Sequence, residues 1–219
     1  MNTKQTLILI TIIVLVALGA GLTLQTFLPE KVASHWDALG QVNGYTSRSF
    51  GIYFMPGIMA MLAVVLMFVP KLDPLKANIV QFLRVYNRFV ATMMLFLLYI
   101  HFLTLFWNLD IRFNMTQVIA PAFGVLIYMS GVLLGKARRN YLIGIRTPWT
   151  MHSDFVWDKT HARGAIAFKI CGFLSFLGLL FPGAMIPLLL APLLLVTIYL
   201  LAYSYWVYRK EEAQKDNQV

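Results

Sequence analysis

A chain of 219 residues that is 59% hydrophobic and only 12% charged cannot cover its own surface with polar groups. Soluble domains are nearer 45–50% apolar and about 25% charged, so a water-soluble globular domain is excluded and lipid is the expected solvent. The net charge of +9 sits at the ends of apolar runs rather than along one exposed face, which fits anionic lipid headgroups and not direct nucleic acid binding.

Six apolar runs approach the length of about 20 residues that a spanning helix needs. They cover residues 7–28, 50–69, 89–107, 118–135, 164–181 and 185–207. The first follows Lys4 and is longer than a signal-peptide core, so it is expected to stay in the protein. After it, residues 29–49 form a substantial connection carrying Glu30, His35, Trp36, Asp37 and Gly44, with a tight turn expected at Asn43-Gly44. His35 and Asp37 are too few ligands to define a metal site, and no cofactor motif is present.

The connection after the second run holds Lys71, Lys76, Arg84 and Arg88. Ile79, Phe82, Leu83 and Tyr86 recur at helical spacing there, which predicts an amphipathic lead-in lying along the membrane before the third run. His101 is an ionisable group inside that third run, either a functional residue or a neutral histidine bonded between helices. Gly124, Gly131 and Gly135 share one face of the fourth run and predict close helix packing. Lys169 lies inside the fifth run, where its stem can snorkel to the headgroups or its charge can meet Asp158 or an acidic ligand. The lone cysteine, Cys171, is read as packing. Pro56, Pro121 and Pro192 each lie about 14 residues before the end of a returning run, marking either tolerated prolines or a shared kink.

Basic residues alternate between connections. Lys4, the second connection, the fourth (Lys136, Arg138, Arg139, Arg146, Lys159, Arg163) and the tail (Arg209, Lys210, Lys215) are rich in them, whereas the others hold only Lys31, Arg48 and Arg112. Positive charge is retained in the cytoplasm, so both termini are expected there. The expected fold is an all-α polytopic membrane protein with six transmembrane helices arranged as three hairpins. Residues 1–70 would form a two-helix unit with outer loop 29–49, and residues 71–219 a four-helix region.

The fourth connection reads Asn140-Tyr141-Leu142-Ile143-Gly144-Ile145-Arg146-Thr147-Pro148-Trp149-Thr150, then Ser153, Trp157, Thr160-His161 and Gly164. Gly144 permits a sharp backbone path, Thr147 before Pro148 is disfavoured in a helix, and Ser153 is a plausible cap with Asp154 in the first turn. Arg146 offers a guanidinium fork for a carboxylate or phosphate. Trp157, His161, Gly164 and Phe168 fall on one helical face. This segment, 140–164, resembles the signature of the SdpI family, and the stretch from Leu28 to Gly44 resembles the unit at the head of many of its members.

The resemblance implies a bacterial cytoplasmic-membrane protein without enzymatic activity. Name-giving members protect the cell from a secreted, membrane-damaging peptide toxin and hold a cytoplasmic repressor at the membrane. The functional motif would comprise Asn140, Gly144, Arg146, Thr147, Pro148, Trp149, Ser153, Trp157, Thr160 and His161, and an outer loop and cavity would comprise His35, Trp36, Asp37, Gly44 and His101. The alternative is a small transporter or channel with an outward-opening cavity, its pathway marked by His101, Lys169 and the helix prolines.

Overall fold

The computed structural model describes residues 1–181 and 183–217. The first helix, α1 (Thr3–Leu24), starts at Asn2, whose side chain accepts the Gln5 N–H at 2.8 Å while Gln5 returns an acceptor to the Asn2 N–H at 3.0 Å. This reciprocal cap satisfies two backbone donors that a helix start otherwise leaves open.

The segment expected as a loop is a two-stranded antiparallel hairpin, β1 (Lys31–Trp36) and β2 (Val42–Ser47). Its reversal is not at Asn43-Gly44, which lie within β2. The chain turns at residues 37–41, where Asp37 Oδ1 accepts the N–H groups of Leu39 and Gln41, each at 2.9 Å, and Gly40 takes φ +78°. An aspartate organising its own turn, with glycine at the left-handed position, outweighs the Asn-Gly pair. Gly44 instead faces His35 across a register irregularity, where a Cβ would lie 2.9 Å from the His35 Cβ.

Next come α2 (Arg48–Leu72), α3 (Lys76–Asn108) and α4 (Met115–Leu134). The short α5 (Pro148–His152) leads into α6 (Asp154–Ser175), extended by a 3-10 turn (Phe176–Leu179), and α7 (Met185–Asp216) closes the fold. Six of these helices are long and apolar enough to cross a membrane: α1, α2, α3, α4, α6 with its 3-10 extension, and α7. Pro56, Pro121 and Pro192 all lie inside unbroken helices. The connection between α6 and α7 includes Pro182, which lies outside the described residues.

The lead-in to the third run is not a separate amphipathic helix. It is the first part of α3, a single helix of 33 residues and about 50 Å by helical rise, with no glycine or proline to break it. Its apolar face is buried, with Ile79 at 0%, Phe82 at 3% and Tyr86 at 2% exposure. That face joins Ile10, Ile13, Ala17 and Met59 in a core shared by α1, α2 and α3. A second core joins Ala120 and Ile127 of α4, Cys171 of α6, and Met185 and Leu189 of α7.

The glycine face of α4 packs on α6 with no room to spare. A Cβ on Gly131 would stand 2.8 Å from the Ala165 carbonyl oxygen, and one on Gly172 would stand 2.6 Å from that of Gly124. Lys169 is half-buried beside this contact, its Cγ 3.0 Å from where a Gly131 Cβ would project.

Candidate functional site

Sequence-distant segments meet at each end of the bundle. At the end away from the hairpin, residues 137–147 leave α4 as an irregular turn built around Asn140, which is fully buried. Its Nδ2 donates to the Arg138 and Ile143 carbonyls at 2.7 and 2.8 Å, and its Oδ1 accepts the Leu142 and Ile143 N–H groups at 3.0 and 2.6 Å. All four hydrogen-bonding positions of the amide are used, as a buried amide requires.

Gly144 carries φ +121°, and an added Cβ there would lie 2.5 Å from His161 Nε2. This close approach lets the next residue, Ile145, donate its N–H to His161 Nε2 at 3.0 Å. His161 Nδ1 lies 2.9 Å from the Trp157 carbonyl oxygen. The first contact makes Nε2 an acceptor, so Nδ1 carries the proton and the ring is neutral. The imidazole stacks on Trp157 with centroids 3.9 Å apart, and Trp157 Nε1 donates to the Ala137 carbonyl at 2.9 Å. Gly164 leaves space for the Ile145 side chain, since its Cβ would lie 2.6 Å from Ile145 Cδ1.

Thr147 caps α5. Its Oγ1 accepts the Thr150 N–H at 3.1 Å, and Thr150 Oγ1 accepts the Thr147 N–H at 2.8 Å and donates to the Ile145 carbonyl at 2.9 Å. Pro148 occupies the first helical turn, where its missing N–H costs nothing. Thr147 also contacts Ser204 of α7 at 3.4 Å, and Trp149 packs on Tyr205 with centroids 5.0 Å apart. Ser153 caps α6 by accepting the Val156 N–H at 3.3 Å. Thr160 is fully buried, and its hydroxyl has no partner among the described residues.

Arg146 is exposed and donates one guanidinium N–H to the Tyr141 carbonyl. Asp158 pairs with Arg138 at 3.5 Å rather than with Lys169, and Asp154 pairs with Arg139 at 2.8 Å. The His161, Asp158 and Ser153 side chains are thus engaged by three separate sets of partners.

Two residues that sequence reasoning passed over tie this turn to the first half of the chain. Asp73, at 2% exposure, accepts the Leu75 N–H at 2.7 Å and the Tyr141 and Leu142 N–H groups at 2.8 and 3.0 Å. Asn78 Nδ2 donates to the Arg139 carbonyl at 2.7 Å. Only the general rule that a buried carboxylate must have partners points to Asp73, and burial is not visible in one sequence.

At the other end the hairpin rests on the helix ends. Asn108, also missed, accepts the Ala33 N–H at 2.7 Å and donates to the Ala33 carbonyl at 3.0 Å. Thr116 and Asn114 donate to the carbonyls of Asp37 and Leu39 at 3.2 and 3.0 Å. Beneath lies a cavity of about 410 Å³, within the ligand-sized range. His35, Trp36 and Asp37 line it from the hairpin, Phe50 and Phe54 from α2, His101 from α3, Thr116 and Ile119 from α4, and Leu189 from α7.

Of the expected outer residues, His35, Trp36, Asp37 and His101 therefore meet around one space. Gly44 supports His35 from behind. His101 is buried and its Nε2 lies 3.0 Å from the Ala17 carbonyl oxygen, a bond from α3 to α1 in which the ring must be the donor. His35 Nδ1 contacts Asn43 Oδ1, and Trp36 packs edge-on against Trp107 with its Nε1 unpartnered among the described residues. Among the described residues no group of three or more His, Cys, Asp and Glu side chains is placed to hold a metal ion.

Comparison with known proteins finds matches in two separate segments of the chain. Residues 136–204 match the SdpI/YfhL protein family, and residues 12–60 match a domain of unknown function, DUF1648. The chain is 27% identical over 164 residues to the immunity protein SdpI of Bacillus subtilis (strain 168), covering 74% of this chain and 76% of that one. No solved structure gives a significant match. The residues that build the Asn140–His161 turn lie inside the segment that matches the SdpI/YfhL family, and the six apolar helices together with this similarity make the chain a multi-pass bacterial membrane protein.

Proposed function

We propose that the protein is a non-enzymatic immunity protein that binds a membrane-active toxic peptide in the cavity under the hairpin and relays occupancy to a cytoplasmic partner such as a repressor. The observation that carries this reading is the cavity itself, about 410 Å³ with a largely apolar wall and a few polar groups at the hairpin edge. An amphipathic peptide presents the matching surface, its apolar face to the wall and its polar groups to His35 and Asp37 at the hairpin edge. The charge pattern supports an orientation with both termini and the Arg146 turn in the cytoplasm and the helices arranged as three hairpins. In that arrangement the unit 1–70 contributes the hairpin, and 71–219 carries the turn.

The exposed Tyr141, Leu142, Arg146 and Pro148 form the surface offered to the cytoplasmic partner. A signal requires that the peptide bind one helix arrangement more tightly than another. Cells lacking the protein should be sensitised to a membrane-active peptide, and expression should rescue them. Ile119→Trp, which fills the cavity, should lower the protected peptide concentration about tenfold, equivalent to 1.4 kcal/mol of binding. Arg146→Ala should abolish rescue while the protein still inserts. Unchanged sensitivity of the deletion strain across a broad peptide panel would refute the immunity reading.

A further inference from the structure

A second recess, of about 540 Å³, opens between the start of α6 and the end of α7, well away from the hairpin cavity. Its rim is basic and aromatic in alternation. Lys159 Nζ lies 5.5 Å from the Phe155 ring centre, the Arg163 guanidinium 5.5 Å from that of Tyr203, and Lys210 Nζ 5.3 Å from that of Trp206. Aromatic rings concentrate at the level of the membrane–water interface, and here they hold three cations around one groove. The neighbouring acidic side chains are engaged elsewhere: Asp158 with Arg138, and Glu211 and Glu212 with Lys215. Among the described residues none of the three cations is in an ion pair.

We infer that this groove is a binding site for the headgroup of an anionic phospholipid. Three unpaired cations at headgroup depth need counter-charge, and a phosphodiester whose charge is not cancelled by an amine supplies it. Arg163 presents a planar fork suited to two phosphate oxygens, and the two lysines act as point charges. Deeper along the same face of α6, Ile166 and Ile170 are exposed at 59% and 54% and give the acyl chains an apolar track. That track distinguishes a lipid from a free phosphate ion. The groove is on neither the cavity nor the Asn140 turn, so this inference stands apart from the toxin reading.

The test is native mass spectrometry of the purified full-length protein in detergent, with cardiolipin, phosphatidylglycerol or phosphatidylethanolamine added, and inorganic phosphate as competitor. The anionic lipids should be retained about tenfold more than phosphatidylethanolamine. Retention should fall to the phosphatidylethanolamine level in the triple variant Lys159→Gln, Arg163→Gln, Lys210→Gln. A control triple, Lys4→Gln, Lys71→Gln, Arg84→Gln, removes equal charge elsewhere and should retain lipid. Should the first triple not fold, Arg163→Glu alone reads the same loss. Equal retention in wild type and the groove variant would overturn the site, as would displacement of bound lipid by millimolar inorganic phosphate, which would assign the groove to a free anion.

Discussion

Replacing Asp73 by alanine should destabilise the protein far more than removing any carboxylate on its surface. The side chain is 2% exposed and accepts three backbone N–H groups, one from its own connection and two from residues 141 and 142. Without it the Leu142 N–H keeps the Asn140 side chain as acceptor at 3.0 Å, and the half-exposed Leu75 can turn to water. The Tyr141 N–H has no other protein acceptor among the bonds described and, on an exposed residue, must also turn to water. Losing three hydrogen bonds to one charged acceptor costs roughly 2–4 kcal/mol.

The comparison is Asp154→Ala, which removes a largely exposed partner of Arg139 and should cost about 0–1 kcal/mol. Both can be measured by titrating sodium dodecyl sulfate into protein in mild detergent and following tryptophan fluorescence. Asp73→Asn, which keeps one oxygen, should fall between them. If Asp73→Ala and Asp154→Ala unfold at the same detergent fraction, Asp73 does not tie the two halves together.

His161→Phe keeps a ring on Trp157 but removes the acceptor for the Ile145 N–H, so residues 137–147 should become cleavable by protease while the spans stay protected; an unchanged digestion pattern would contradict the role assigned to the imidazole. Gly172→Ala places a methyl 2.6 Å from the Gly124 carbonyl oxygen, and overpacking of this kind costs about 1–3 kcal/mol, visible as an earlier midpoint in the same detergent titration. Gly57→Ala, which meets nothing within 4 Å, should leave that midpoint unchanged or raise it.

The spans are legible because lipid solvation writes itself into long apolar runs, and the start of α6 because Ser153 acts on its immediate neighbours, whereas the cap that Thr147 gives α5 is not expected from the sequence. The close packing of Gly131 on α6 could be read from small-residue spacing along one helix face. What could not be read depended on partners far along the chain. Asp73 and Asn108 look like ordinary loop and helix-end polar residues until residues 141 and 33 are brought against them. The turn at Asp37 was misplaced because Asn-Gly is the stronger local signal, and the side-chain bonds of Asp37 override it. The start of α3 resembles an interfacial helix because amphipathicity is the same whether the apolar face meets lipid or the core of α1 and α2.

The backbone contact between Gly124 and Gly172, repeated at Gly131 and Ala165, has a mechanical consequence. Where two helices touch main chain to main chain, no side chain lies between them to change rotamer and absorb a shift. In the proposed relay, a force on Thr116 or Ile119 at the cavity would move α4 and α6 together, and with them the Arg146 turn that joins them.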